Sequence, residues 1–119
     1  LKNAATDIIS ATQWARTKAI SDGCVYRLTV DQSGYQVLYQ DQQSFVPAST
    51  SMGQRFDFPD DVKLSLVRQD GAVGDHIDFF PDGTTEPGTF TLKQTNDGQM
   101  QVACLSPTEQ FHVLTGGSQ

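Results

Sequence analysis

The sequence predicts an α+β fold: one helix at the front of the chain, then about seven strands forming an antiparallel β-sandwich on which the helix lies. Three observations carry this. Residues 1–22 contain no Pro and no Gly, and their apolar positions recur at spacings of three and four. After Gly23 the apolar period falls to two. Turn-forming clusters then punctuate the rest of the chain. A run of one element type followed by a run of the other marks α+β rather than alternating α/β. The 119 residues make one domain, because half of them would not build an adequate core. Residues 1–22 supply the helix and residues 23–119 the β head.

The elements follow in order. Leu1, Ala4, Ala5, Ile8, Ala11, Thr12, Ala15 and Ala19 fall on one helical stripe. The stripe is rich in alanine, so another element can approach it closely. Ile9 and Ile20 widen the apolar surface on one side, and Trp14 falls on the other. Asp22-Gly23 ends the helix, with Gly23 suited to a left-handed cap. Tyr26, Leu28 and Val30 alternate, the stretch from Asp31 to Gly34 turns, and Tyr35, Val37 and Tyr39 alternate again, which predicts a β-hairpin. The polar stretch from Gln40 to Gln54 reads as a long loop with room for a short edge strand. Further strands are expected at Val62–Leu66, Ile77–Phe79, Phe90–Leu92, Met100–Cys104 and Phe111–Val113. Turns separate them at Asp70–Gly74, Pro81–Thr84, Asn96–Gly98 and Ser106-Pro107, and Gly116–Gln119 reads as a frayed tail.

Charge excludes several functions. Fourteen acids against eight bases give a net charge of −6 and a pI near 4.5. The bases are scattered and form no Lys/Arg cluster, so binding through nucleic-acid phosphates or to anionic lipid has no basic face to work with. No apolar run reaches the 18 residues of a membrane-spanning helix, and no signal peptide opens the sequence. Leu1 nevertheless sits inside a helical pattern, so a preceding segment that could carry an anchor is expected.

Candidate chemistry is sparse. His76 and His112 lie on the polar phase of their strands with no second histidine or cysteine at metal spacing, and read as exposed strand histidines. Cys24 and Cys104 share phase with inward residues. Two readings stand side by side: a pair of buried thiols, or a disulfide closing a loop of about 80 residues and stabilising by about 4 kcal/mol in an oxidising compartment. Eight acids lie between Asp57 and Glu86 against only Lys63 and Arg68. Oxygen-rich turns can bind Ca²⁺ and paired carboxylates can cleave glycosides, but neither spacing signature is present, and turn-forming Asp accounts for most positions. There is no nucleophile elbow and no phosphate-binding loop. No catalytic residue, cofactor or metal is assigned.

Three segments together resemble a known family. They are Trp14–Gly23 (WARTKAISDG) closing an alanine-rich helix, the strand Val25–Asp31 (VYRLTVD) directly after it, and Ile77–Thr85 (IDFFPDGTT) with the strand Thr89–Lys93 that follows. This is similar to the H-type minor pseudopilins of type II secretion and the related FimT-type minor pilins (GspH/FimT). Ala15, Arg16, Ala19 and Ile20 match that family's helix-end pattern, and Phe79 to Thr84 match its later turn. The resemblance implies a pilin-like fold and a periplasm-facing, non-enzymatic subunit near the tip of a short fibre that helps export proteins. It implies a single-pass anchor in the bacterial inner membrane through an N-terminal apolar helix half that precedes this sequence. Other minor and major pseudopilins are the implied partners, with no nucleic acid and no small-molecule substrate. Leu105 to Gln119 contains no Lys or Arg, unlike the DNA-binding members of the FimT branch. The helix flank with Trp14 and Lys18 is the expected neighbour contact, and acidic Asp60 and Asp61 are expected to guide head docking. The alternatives are a type IV minor pilin, a free-standing β-sandwich binding module and, last, an enzyme.

Overall fold

A computed structural model describes residues 1–95 and 98–114. The helix, α1, runs Lys2–Asp22. Gly23 ends it in the left-handed region at φ 70°, returning its N–H to the Ala19 carbonyl. That conformation costs glycine nothing, because it has no Cβ to clash.

Ten strands follow: β1 Tyr26–Asp31, β2 Gly34–Asp41, β3 Ser44–Pro47, β4 Phe56–Asp57, β5 Val62–Arg68, β6 Val73–Gly74, β7 His76–Phe79, β8 Gly88–Gln94, β9 Gly98–Cys104 and β10 His112–Val113. They form two antiparallel sheets. The first has the order β3-β2-β1-β7, with β4 also paired to β2, and the second has the order β10-β9-β8-β5-β6. Tyr26 lies between Tyr39 and Phe79 across the first sheet, and Phe90 between Leu66 and Val102 across the second.

The inward phase of both sheets makes the core, with Leu28, Val37, Ile77, Phe79, Phe90, Leu92 and Val102 fully buried. The helix contacts β1, β2 and β7 of the first sheet and β9 of the second. Every stripe position from Ala4 to Ala19 is buried, and Leu1 is half-buried. Among the buried residues of this stripe only Ile8 has a long side chain, and burying it contributes about 1.5–3 kcal/mol. Alanine elsewhere keeps the helix backbone close to the strands. Thr12 is tolerated among them because its hydroxyl donates to the Ile9 carbonyl at 2.7 Å.

The fold class and all seven expected strands are present. The three additional strands are short pieces at sheet edges. The polar stretch expected as a loop over 40–54 is mostly ordered into structure: β2 continues to Asp41, Gln42 turns the chain at φ 60°, β3 pairs back along β2, and a 3₁₀ turn covers Ser51–Gly53. Its pairing is carried by backbone groups, so the side chains give no alternation to read. Asn96, Asp97 and the Gly116–Gln119 tail lie outside the described residues.

Candidate functional site

The two motifs that carried the family resemblance meet in space. Arg16 Nε donates to the Gly83 carbonyl at 3.0 Å. The turn offering that carbonyl is fixed by its own residues. Asp82 Oδ1 accepts from the Thr84 N–H at 2.9 Å and the Thr84 hydroxyl at 2.7 Å. These bonds hold the Asp82 carboxyl below the usual carboxylate range. Gly83 sits at φ 91°, a conformation an L side chain rarely adopts, and a Cβ there would reach Ile20 Cδ1 at 3.7 Å. Ile20 itself is 51% exposed. The helix end and the turn therefore present one continuous surface: Arg16, Ile20 and the loop tip at Gly83.

Beside this clasp lies a half-open cavity of about 260 Å³. Thr12, Gln13, Arg16 and Thr17 line it from the helix, with Phe79, Thr85, Glu109, Gln110 and Phe111 opposite. Phe79 and Phe111 are buried. Thr85 is 2% exposed, and its Oγ1 is the buried side-chain polar atom without a hydrogen-bond partner among the described residues. Arg16 is half-buried and makes no ion pair among the described residues. Sequence reasoning missed Thr85 because nothing in a residue's type marks an unpartnered hydroxyl.

A second cluster joins β7 to the segment before β8. His76, Asp78 and Glu86 place ligand-type atoms within 4.8 Å of one another. Two guanidiniums already occupy them. Arg27 grips Asp78 through two bonds of 2.7 and 3.0 Å while lying 3.8 Å over the Phe45 ring. Arg68 reaches Glu86 at 3.3 Å and His76 Nε2 at 3.2 Å, and Glu86 Oε1 accepts from the Asp78 N–H at 2.8 Å. A divalent cation would have to displace both arginines, so the donor set does not fit one. The cluster is an ion-pair brace across β1, β7 and β5. His76 is accordingly half-buried, with Asp75 2.7 Å from Nδ1, rather than the exposed strand histidine expected; His112 is exposed.

The residues predicted for subunit contact fall in two separate places. Trp14 is half-buried and meets Tyr26 edge-on at 5.8 Å. Tyr26 donates its hydroxyl to Asp22, and Lys18 pairs with Asp22 at 3.5 Å. Burial, with the Asp22 bond second, pushes the Tyr26 phenol far above its ordinary value. Asp60 and Asp61 are exposed before β5, beside the β1–β2 turn, and Asp61 accepts from Gln94 Nε2 at 2.9 Å. Tyr26 opens β1 and that turn closes it, so about 17 Å of strand separates the two places. Much of the acidic stretch is spent locally: Asp57, Asp78 and Glu86 in arginine pairs, Asp70 and Asp82 in turns.

Both cysteines are free thiols. Cys24 is half-buried and Cys104 fully buried. Cys104 Sγ lies 3.0 Å from the Ser106 carbonyl. Burial raises both thiol pKa values, the Asp22 charge adding to the shift at Cys24.

The family model of Type II transport protein GspH matches residues 4–108. No curated protein sequence matches. Two solved structures of the minor pseudopilin EpsH from the type 2 secretion system of Vibrio cholerae are similar throughout. One superposes with a TM-score of 0.81 at 13% identity, covering 99% of this chain and 97% of that one. The other gives 0.82 at 15% identity, covering 99% and 95%. The type IV minor pilin FimU of Pseudomonas aeruginosa gives 0.68 at 18% identity, covering 97% and 88%. At these identities the likeness establishes the shared fold.

Proposed function

The chain belongs to the GspH family of type II transport proteins, and from that premise we propose that it is a minor pseudopilin, a structural subunit at or near the tip of a type II secretion pseudopilus that assists export across the outer membrane. The family is structural rather than catalytic and works by assembly with other pseudopilins. The observation that carries the reading is the match over residues 4–108, which takes in both halves of the Arg16–Gly83 clasp. The nearly complete overlay on EpsH supports it. A type IV minor pilin is the second reading, supported by the weaker likeness to FimU.

The family's heads face the periplasm on a membrane anchor. We propose that this chain is likewise anchored, by a single-pass inner-membrane helix continuous with α1, on the strength of its family membership; among the described residues no helix is long and apolar enough to cross a membrane. Translating the gene upstream of Leu1 tests this. A short basic leader ending in Gly, then an apolar stretch of about 20 residues, is expected. An ordinary cleaved secretory leader would overturn it in favour of a free-standing binding module.

For assembly, the Trp14–Lys18 flank serves as a helix contact, and exposed Asp60 and Asp61 guide head docking by charge. Co-assembly unchanged by Trp14→Ala would remove the first role. Co-assembly unchanged by Asp60→Lys with Asp61→Lys would remove the second.

A further inference from the structure

We propose that the cavity between α1 and the loop before β10 receives a carboxylate side chain or chain end of a neighbouring pilin-like subunit, with Arg16 and Thr85 as its polar anchors. The proposal rests on the assembly reading above and names a contact within it.

Two independent features define the ligand chemistry. Arg16 is half-buried, held by Nε to the Gly83 carbonyl at 3.0 Å, and has no carboxylate partner among the described residues. Its remaining N–H groups have a fixed direction, which suits the fork geometry of a carboxylate. Thr85 lines the same cavity, and its hydroxyl oxygen is buried and unpartnered among the described residues. A buried hydroxyl without a partner is destabilising, and a valine of the same shape would avoid the cost. Its presence is explained if the partner is supplied on binding. The floor of Phe79 and Phe111 accepts the apolar stem of such a side chain, and about 260 Å³ is room for one side chain rather than a larger ligand.

The source is a protein rather than a free acid for two reasons. Glu109 stands exposed on the rim and opposes a small free anion, whereas a carboxylate carried on a partner brings contact area that outweighs it. Ile20, exposed beside Gly83, provides that area next to the mouth. The cavity lies across the stripe from Trp14, so it marks a second helix flank for neighbours.

The test uses the 119-residue chain and purified soluble heads of the pseudopilins from the same organism. Calorimetry measures binding of each head to the wild-type chain, Thr85→Val and Arg16→Gln, and thermal unfolding is recorded for all three. N-acetyl-glutamate N-methylamide is the free-carboxylate probe, with the glutamine analogue as control. The expected result is one head whose affinity falls about tenfold or more in each variant, as for a lost hydrogen bond to a charged group, while Thr85→Val melts no lower than wild type. Because Arg16→Gln also loosens the clasp, Thr85→Val decides. Heads that bind all three chains equally overturn the proposal and leave the hydroxyl to a buried water. Binding of the glutamate probe with no head bound overturns it in favour of a free-ligand site. No binding of either kind also overturns it. In every case secretion by a gene-deletion strain judges the pseudopilin reading separately.

Discussion

Thr85 shows how one side chain departs from the pattern around it. Among the described residues the buried side-chain polar atoms other than this one have partners, so removing this hydroxyl is expected to help stability. Thr85→Val should raise stability by up to about 1–2 kcal/mol, read as a higher Tm. Gly83→Ala should do the reverse, since an L residue in the left-handed region costs about 1–2 kcal/mol, and the Arg16 bond depends on that carbonyl. The thiols offer another check. Unfolded without reductant, the chain should titrate two free thiols, and in the native state Cys24 should alkylate ahead of buried Cys104; a count of zero would mean the disulfide forms. Some of this was legible in the sequence: Gly23 as a cap and the turn over Pro81–Thr84 follow from residue type. The Arg16–Gly83 bond was not, because its partners stand 67 residues apart and only the folded chain brings them together.

Among the elements, the helix was the most readable. Its seven buried residues are those that the three-and-four spacing selects, because burial on a helix follows its period. The stripe's small residues set the spacing between helix and sheets. Ala15→Leu should therefore cost about 1–3 kcal/mol by overpacking, and Ile8→Ala about 2–5 kcal/mol by leaving a cavity, both measured by denaturant unfolding. Strands with full alternation were equally plain. β3, β4 and β6 were not, since two to four residues at a sheet edge are too few to show an alternating pattern. Nor was the brace of Arg27 on Asp78, which depends on β1 lying beside β7, a pairing fixed by the sandwich and not by neighbouring sequence. The flank predicted for Trp14 is likewise narrower than the sequence suggests, because Tyr26 already covers part of the indole.

Taken as a whole, the molecule uses much of its acidity internally. Asp31 is held well below the usual carboxylate range by Arg55 first and the Ser33 N–H second, Asp82 by Thr84, and Asp75 by His76. Folded pKa values below the unfolded value of about 3.9 mean that this stabilisation is fully present above that value. It is lost as pH falls through the folded values. Unfolding followed between pH 7 and pH 2 should show stability nearly flat at the upper end and declining below about pH 4. These groups are largely exposed, so the decline should be shallow and weaker still in high salt. This fold serves as a subunit of a secretion fibre. The most direct measurement is the export of type II substrates by a strain lacking the gene, with and without the full-length gene returned. Substrates should accumulate in the periplasm of the deletion strain, and the returned gene should restore their release. Unchanged export, with twitching motility lost instead, would contradict it and assign the chain to a type IV pilus.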